Sequence, residues 1–203
     1  MSKRKRIALF GGTFDPVHLG HLHLAMLAKE TAQLDEVHFL PCRMSPHKLG
    51  QPTAPAADRL EMLKLATSGL PWARVDDFEL TGPTPSFSYV TAETLAAREP
   101  EATWYWLMGG DQWDALPQWR HPERLAAVVT FLVLARGRVP LPRQGFRMQV
   151  VPGDHSASAT AVRADIQNST SHTDWLNPKV LHYLRERQLY RTEPRLAPGQ
   201  TSE

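Results

Sequence analysis

The sequence predicts a doubly wound α/β fold, a mainly parallel sheet with helices on both faces. Short apolar runs typical of buried strands alternate with segments of helical periodicity from Ile7 to Tyr190. A glycine turn, Gly11-Gly12, joins the first of these runs directly to a helix, and polar or glycine-containing loops follow several others. No repeat or linker divides the chain. We therefore expect one domain over residues 1–191 and a disordered tail over 192–203.

Length and composition are typical of a soluble globular protein. The chain has 203 residues, of which 42% are hydrophobic and 22% charged, and its net charge is +2. This charge gives no argument for a nucleic-acid partner, and no apolar run approaches the length that spans a membrane. The single cysteine, Cys42, excludes an internal disulfide, and the run behind the basic segment 2–6 is too short for a signal peptide. We expect a cytoplasmic protein without a nucleic-acid or membrane partner; the oligomeric state stays open.

The first predicted unit is a strand, a glycine turn and a helix. Ile7–Phe10 is the apolar run, and Leu19–Ala32 has apolar side chains at helical spacing. Glycines let the backbone bend and expose its N–H groups, and a helix start carries partial positive charge, so this corner suits a phosphate. His18 and His21 share one face of the first helical turn, from which both rings can donate hydrogen bonds to phosphate oxygens. A tight turn with two surface histidines is the alternative.

The next segments place a loop beside the same corner. Val37–Leu40 is the predicted second strand, and the polar loop after it carries His47 and Lys48, which could reach a phosphate. A solvated loop is the alternative. Ala56–Ser68 is a predicted helix, and residues 74–76 form a weakly indicated strand.

Residues 79–88 are rich in Pro, Thr, Ser and Gly and are predicted to form a loop. A helix is predicted from Tyr89 to Arg98. The last helix begins at Asn177-Pro178, a cap residue followed by proline at the first helical position.

A strand over Trp104–Met108 ends at a glycine pair that begins with Gly109. The next residue, Asp111, is well placed for a ribose hydroxyl or a metal-bound water; alternatively, it caps a short helix. Trp113 and Trp119 lie in a segment too polar to be core throughout. We expect one of them to be an exposed stacking surface and favour Trp119.

Two strands, Val128–Leu134 and Met148–Val151, precede a hydroxyl-rich helix start. Ser158, Thr160 and an arginine one turn later, Arg163, could form a second phosphate cradle. The alternative is that Ser158 or Thr160 simply caps the helix.

Residues 11–21, Gly-Gly-Thr-Phe-Asp-Pro-Val-His-Leu-Gly-His, resemble the phosphate-binding stretch of the nucleotidylyltransferase superfamily. The resemblance is closer to the bacterial nicotinate-nucleotide adenylyltransferases, whose Pro-His-Lys/Arg and Ser-x-Thr-x-x-Arg elements match residues 46–48 and 158–163. It covers nearly the whole chain. It implies a Rossmann-like fold and the transfer of AMP from ATP to nicotinate mononucleotide, with release of pyrophosphate.

The resemblance also implies residue roles. His18 and His21 would be catalytic, stabilising the phosphates in the transition state. The residues implied to bind ATP and its phosphates are Gly11, Gly12, Thr13, Phe14, Lys48, Gly109, Asp111, Ser158, Thr160 and Arg163. Those implied to bind nicotinate mononucleotide are His47, Phe87, Ser88 and Trp119, with Trp119 stacking on the pyridine ring. Mg²⁺ would arrive on ATP rather than in a protein site.

The acceptor is the least defined part of this prediction. Residues 85–91 are longer than the family's Ser-Tyr-Thr run, so the contacts of the pyridine carboxylate stay unassigned. No Asp or Glu lies between Leu80 and Val90, so nothing local opposes a carboxylate, and we expect nicotinate rather than nicotinamide. The sequence shows no serine or cysteine nucleophile, which favours direct transfer. The alternatives are a phosphopantetheine or nicotinamide mononucleotide acceptor, or a non-catalytic nucleotide-binding module.

Overall fold

The structure is a computed structural model that describes residues 3–43, 53–82, 85–135, 137–153, 155–168 and 172–190. Its centre is a sheet of six parallel strands: β1 (Arg6–Gly12), β2 (Glu36–Pro41), β3 (Ala73–Val75), β4 (Thr103–Gly109), β5 (Thr130–Ala135) and β6 (Met148–Pro152). The strand order is β3-β2-β1-β4-β5-β6.

The described helices are α1 (Leu19–Thr31), α2 (Ala56–Thr67), α3 (Phe78–Thr81), α4 (Ser88–Arg98), α5 (Gly110–Ala115), α6 (Pro122–Val128), α7 (Ala159–Asn168) and α8 (Pro178–Glu186). Short 3-10 turns lie at Leu116–Gln118 and His172–Trp175. No helix of the described ranges has both the length and the apolar character needed to cross a bilayer.

The sheet is covered on both faces, as the doubly wound prediction requires. Alternate residues of β1 point to opposite sides: Ala8 and Phe10 pack with α1, α2, α7 and α8, whereas Ile7 and Leu9 pack with α4, α5 and α6. Both faces are apolar, which explains why the strands read as continuous hydrophobic runs.

The topology places a cleft between the two central strands. The chain moves outward from β1 through β2 to β3, and then returns to pair β4 with the other side of β1. At such a switch point the loops beyond the carboxyl ends of the strands diverge and leave a crevice. Here those ends are Gly11-Gly12 of β1 and Gly109 of β4.

Most predicted elements are confirmed to within one or two residues, and two predictions are wrong. The predicted loop over 79–88 contains helical turn α3 in its first part. Val128 does not begin a strand but ends helix α6, which the sequence analysis did not predict. Its N-cap residue His121 has φ of 52°, and Pro122 occupies the first helical position.

The start of the last helix is confirmed in detail. Asn177 Oδ1 accepts a hydrogen bond of 2.9 Å from the backbone N–H of Lys179, and Pro178 follows the cap. The expected tail over 192–203 lies outside the described residues.

Candidate active site

A cleft of about 550 Å³ opens at the carboxyl edge of the sheet, beside the switch point. Its walls come from the β1–α1 turn, the start of α4, the end of β4 and the segment after α5. The lining residues are Phe10, Gly11, Gly12, Thr13, Cys42, Glu79, Ser86, Phe87, Ser88, Trp106, Leu107, Met108, Gly109, Gln112, Gln118, Trp119 and Arg120.

The glycine corner forms one wall, with Gly11, Gly12 and Thr13 facing the cleft. The Phe14 side chain does not face it: this residue is 2% exposed and packs edge-to-face on Phe10, with ring centroids 5.5 Å apart. A Cβ on Gly12 would lie 3.0 Å from the Phe14 ring, so glycine leaves room for this ring against the turn. The Phe14 side chain belongs to the core, and the implied role of Phe14 in ATP binding stays a prediction.

His18 and His21 form a stacked pair at the start of α1. The backbone N–H of His18 donates a hydrogen bond of 3.2 Å to Nδ1 of His21, and the ring centroids are 3.7 Å apart. His18 is only 5% exposed, so the alternative of two surface histidines is wrong. The His21 ring packs near Phe10, which lines the cleft. Because Nδ1 of His21 is an acceptor, the neutral ring carries its proton on Nε2.

A third imidazole lies beside this pair. A Cβ placed on Gly20 would come within 2.9 Å of His18 Nδ1 and 3.1 Å of His155 Nδ1. Glycine at position 20 is therefore what lets the two rings approach the helix start. His155 is not among the predicted site residues, and its only signal in the sequence is its place ahead of the hydroxyl-rich segment.

The second predicted phosphate corner lies against the first. Nη1 of Arg163 in α7 donates a hydrogen bond of 2.6 Å to the main-chain carbonyl of Asp15, in the β1–α1 turn. The buried Asp15 carboxylate in turn accepts a hydrogen bond of 2.6 Å from the hydroxyl of Tyr190. The long-range contact between Arg163 and Asp15 thus brings the two helix starts together.

Ser158 has the structural role that the sequence analysis named as its alternative. Its hydroxyl accepts a hydrogen bond of 3.2 Å from the backbone N–H of Ala161 and so caps α7. Ser158 and Thr160 are both exposed. Their position at the start of α7 is compatible with phosphate contact.

A buried arginine fixes the base of the cleft. Arg59 of α2 is 1% exposed, and its guanidinium donates hydrogen bonds to the carbonyls of Thr13 and Cys42, both at 2.8 Å, and of Ala54 at 3.1 Å. It joins the glycine corner to the end of β2 and adds a positive charge beneath both. No local pattern in the sequence indicates that Arg59 is buried, because an arginine within a helix is usually solvated.

Asp111 lies at the rim of the cleft, exposed, in the first turn of α5. The N-cap position belongs to Gly109, so the alternative role of Asp111 as a helix cap is wrong. Gln112, which lines the cleft, donates a hydrogen bond of 3.2 Å to Asp111. A Cβ on Gly109 would lie 2.5 Å from Asp111 Oδ1, so glycine leaves room for this carboxylate.

The predicted acceptor residues Phe87, Ser88 and Trp119 also line the cleft. Trp113 is fully buried whereas Trp119 is partly exposed, as expected for a stacking surface. Arg120 is a cleft residue that the sequence analysis missed; its guanidinium lies 5.1 Å from the centre of the Phe87 ring.

The position of Glu79 shows that the expectation of no acid near the acceptor end of the cleft is wrong. The window without acids between Leu80 and Val90 stops one residue short of it, and Glu79 lines the cleft while only 6% exposed. Thr91 Oγ1 donates a hydrogen bond of 2.8 Å to Glu79 Oε1. Burial, with a smaller contribution from the negative charge of Asp76, raises the pKa of Glu79 to about 7 and outweighs the opposing effect of this hydrogen bond.

Two predicted binding residues cannot be placed, and a protein-bound metal ion is the other point to consider. His47 and Lys48 lie outside the described residues. Among the residues that the structure describes, no three His, Cys, Asp or Glu side chains are grouped so that they could hold a metal ion.

Comparison with known proteins places this geometry in a family. The cytidylyltransferase-like family model matches residues 9–165. A relative from Laribacter hongkongensis is 38% identical, with 94% of this chain and 96% of that protein covered, and one from Listeria monocytogenes serovar 1/2a is 35% identical, with 92% and 98% covered. Both are named probable nicotinate-nucleotide adenylyltransferase.

Solved structures agree on the fold. The nicotinic acid mononucleotide adenylyltransferase of Plasmodium falciparum complexed with NaAD superposes with a TM-score of 0.74 and 19% identity, over 92% of this chain and 98% of that one. The family model and the two bacterial relatives each cover most of the chain, so it belongs to the cytidylyltransferase-like family and, within it, to the nicotinate-nucleotide adenylyltransferases.

Proposed function

We propose that the protein transfers the AMP moiety of ATP to nicotinate mononucleotide, giving nicotinate adenine dinucleotide and pyrophosphate. The observation that carries this proposal is the contact between Arg163 and Asp15, which joins α7 to the β1–α1 turn, whose Gly11, Gly12 and Thr13 line the cleft. The relatives' names agree with this reaction, and the P. falciparum neighbour is complexed with NaAD, the proposed product.

The triphosphate would lie across the two corners. Neither α1 nor α7 has an acidic residue in its first turn, so neither helix start carries a carboxylate of its own that would oppose a bound phosphate. Arg163 and Nε2–H of His21 would add charged or polar donors, and Arg59 would add a buried positive charge below Thr13.

The reaction would be a direct displacement. A phosphate oxygen of the mononucleotide attacks the α-phosphorus of ATP, a new P–O bond forms, and the bond to the β-phosphate oxygen breaks to release pyrophosphate. His18 and His21 would stabilise the negative charge that the phosphate oxygens share in the transition state.

Cys42 is the cysteine that lines the cleft, and its surroundings make it a poor nucleophile. Burial, together with the charge of Glu79, raises the pKa of its thiol, so Cys42 stays protonated at neutral pH. This favours direct transfer over a covalent enzyme intermediate.

Mg²⁺ would enter as part of the substrate, bound to the phosphates of ATP. It would offset part of the triphosphate charge, while the histidines and Arg163 position the phosphates. Asp111, at the rim beside Gln112, would hold a ribose hydroxyl or a water of the metal's hydration shell.

The acceptor ring would bind at the other end of the cleft. Trp119 offers a flat, partly exposed surface for the pyridine ring. The N-terminus of α4 begins at Ser88, and its first turn has no acidic residue, so it favours a bound carboxylate.

A pyrophosphate-release assay with MgATP and four conditions tests the proposal: nicotinate mononucleotide, nicotinamide mononucleotide, phosphopantetheine and no acceptor. We expect rapid release only with a pyridine mononucleotide, fastest with nicotinate. Release only with phosphopantetheine would indicate the other transferase class. ATP binding without pyrophosphate release under any condition would indicate a non-catalytic module.

A further inference from the structure

Glu79 is a buried carboxyl group at the acceptor end of the cleft, and the proposed reaction assigns it no task. It lines the same cleft as Ser86, Phe87 and Ser88, the residues that lead into α4. The hydroxyl of Ser86 donates a hydrogen bond of 3.3 Å to the main-chain carbonyl of Glu79, so α3 and the start of α4 are joined at this point.

The two carboxyl oxygens of Glu79 have different surroundings. Oε1 accepts the hydrogen bond from Thr91, one turn inside α4. A proton on the carboxyl is therefore better placed on Oε2, since Oε1 is already an acceptor. In that form Glu79 can donate a hydrogen bond to a ligand while it keeps its contact with Thr91.

Burial and the negative charge of Asp76 favour this protonated form, whereas the positive charges of nearby arginines favour the ionised form. Asp76, in the segment before α3, raises its pKa through negative charge, and Cys42, at the end of β2, is a neutral thiol. Arg59 of α2 contacts the carbonyl of Cys42, and Arg120 lies at the cleft wall over Phe87. Burial is the largest influence and outweighs the others, so both forms of Glu79 exist near neutral pH.

The two forms suit two different ligands. A protonated carboxyl donates to a carboxylate, whereas an ionised carboxylate repels a second carboxylate and accepts from the N–H groups of a carboxamide. The nicotinate and nicotinamide rings differ in this one group.

We infer that Glu79 is the residue that selects between the acid and the amide of the pyridine ring, donating a hydrogen bond to the carboxylate of nicotinate mononucleotide when it is protonated. This inference rests on the proposed function. It assigns the carboxylate two sources of attraction, the start of α4 and the Glu79 proton, and it makes acceptor selection depend on pH.

The ratio of kcat/KM for nicotinate mononucleotide to kcat/KM for nicotinamide mononucleotide tests this inference between pH 5.5 and 8.5 at saturating MgATP. Ionisations of the phosphates and of ATP are common to both reactions and cancel in the ratio. In the wild type we expect the ratio to fall by up to about tenfold per pH unit above the pKa of Glu79. In Glu79→Gln, whose amide can both donate and accept, the ratio should be independent of pH.

Glu93→Gln is the matched control. Glu93 lies on α4, the helix that carries Thr91, loses a carboxylate in the same way when substituted, and pairs with Arg124 at the surface rather than lining the cleft. In Glu93→Gln, the ratio of the two kcat/KM values should depend on pH as it does in the wild type. A flat wild-type ratio, or a Glu79→Gln profile identical to that of the wild type, would overturn the inference.

A binding measurement on the wild type avoids any loss of folding in the variant. Calorimetry at pH 7 in two buffers of different ionisation enthalpy should show more proton uptake for nicotinate than for nicotinamide mononucleotide. Equal uptake would overturn the inference and leave the proposed function standing. If neither mononucleotide bound or reacted, the proposed function would fail and the inference with it.

Discussion

The backbone N–H of His18 donates a hydrogen bond to Nδ1 of His21, and the two rings stack 3.7 Å apart. The start of α1 thereby fixes the neutral tautomer of His21, with the proton on Nε2. One helical turn thus supplies backbone N–H groups, a fixed imidazole donor and a second ring that holds the first in place.

Replacing His21 by Ala should lower kcat by roughly 10²-fold or more, because the transition state loses one donor to a phosphate oxygen. The melting temperature should change little, since the ring is only partly buried. The same loss of kcat is expected for His18→Asn, in which Asn preserves a residue suited to the helix cap. Steady-state kinetics and thermal unfolding check both.

His23→Ala is the control for this pair. His23 lies on α1 two residues beyond His21, is exposed, and has its ring near His155 rather than in the stacked pair. It should retain wild-type kcat. Near-normal turnover in His21→Ala, or unfolding of that variant, would contradict the catalytic assignment.

Arg163→Ala should raise the KM for ATP more than the KM for the mononucleotide, because its guanidinium lies at the junction of the two phosphate corners. It should also lower kcat, since the contact with Asp15 braces the β1–α1 turn. Arg163→Lys should restore part of the ATP affinity but not the brace. The side chain is partly exposed, so the effect on ATP affinity should shrink at high salt. Equal effects of Arg163→Ala on the two KM values would argue against this role.

The binding of the triphosphate by Lys48 stays a prediction, because Lys48 lies outside the described residues.

Cys42→Ala should keep most of the wild-type activity, because a direct displacement needs no thiol and the raised pKa of Cys42 leaves it protonated. Incubation of the wild type with α-³²P-labelled ATP and no acceptor should leave the protein unlabelled. A labelled protein whose label is lost in Cys42→Ala would show a covalent intermediate and exclude direct transfer.

The lowered pKa of Glu36 predicts how the free energy of unfolding depends on pH. It accepts from His38, Lys5 and Arg74 at 2.8–3.0 Å, at the opposite edge of the sheet from the cleft. Burial raises its pKa, but these hydrogen bonds outweigh burial and lower the pKa from 4.5 to about 2. A depressed carboxyl pKa stabilises the fold above pH 4.5, and this contribution is lost as the pH falls towards 2.

The shift corresponds to roughly 3 kcal/mol of unfolding free energy at neutral pH. Glu36→Gln should therefore be less stable than the wild type at pH 7, and the difference should narrow as the pH falls below 4.5. Urea unfolding at several pH values measures this difference in unfolding free energy between the wild type and the variant. A difference that stayed constant between pH 7 and pH 3 would refute the contribution of the charge.

The sequence predicted the parts of the site that local patterns encode. A buried strand followed by Gly11-Gly12 and a histidine pair specifies a strand–turn–helix unit by spacing alone, and the cap of α7 at Ser158 follows from residue type. Trp119 was correctly favoured over Trp113 as the accessible ring, because the segment is too polar to bury both.

The missed residues depend on contacts between distant segments. Arg59 donates a hydrogen bond to the carbonyl of Thr13, which lies 46 positions earlier in the sequence. It thereby joins Thr13 to the end of β2. In the sequence Glu79 has the pattern of an ordinary polar loop residue, and only the packing of α3 against the sheet buries it. No periodicity reports such burial, and the acid-free window was therefore misleading. Helix α6, which was not predicted, does carry a local signal for a helix start, Pro122 followed by Glu123.

Comparing kcat/KM for nicotinate and nicotinamide mononucleotide, at saturating MgATP and pH 7, tests the assignment of the acceptor most directly. One charged set of hydrogen bonds is worth roughly 1.5–3 kcal/mol, which corresponds to about 10- to 150-fold in kcat/KM. We expect nicotinate mononucleotide to be favoured by a factor in that range. Equal values, or a preference for the amide, would contradict the assignment.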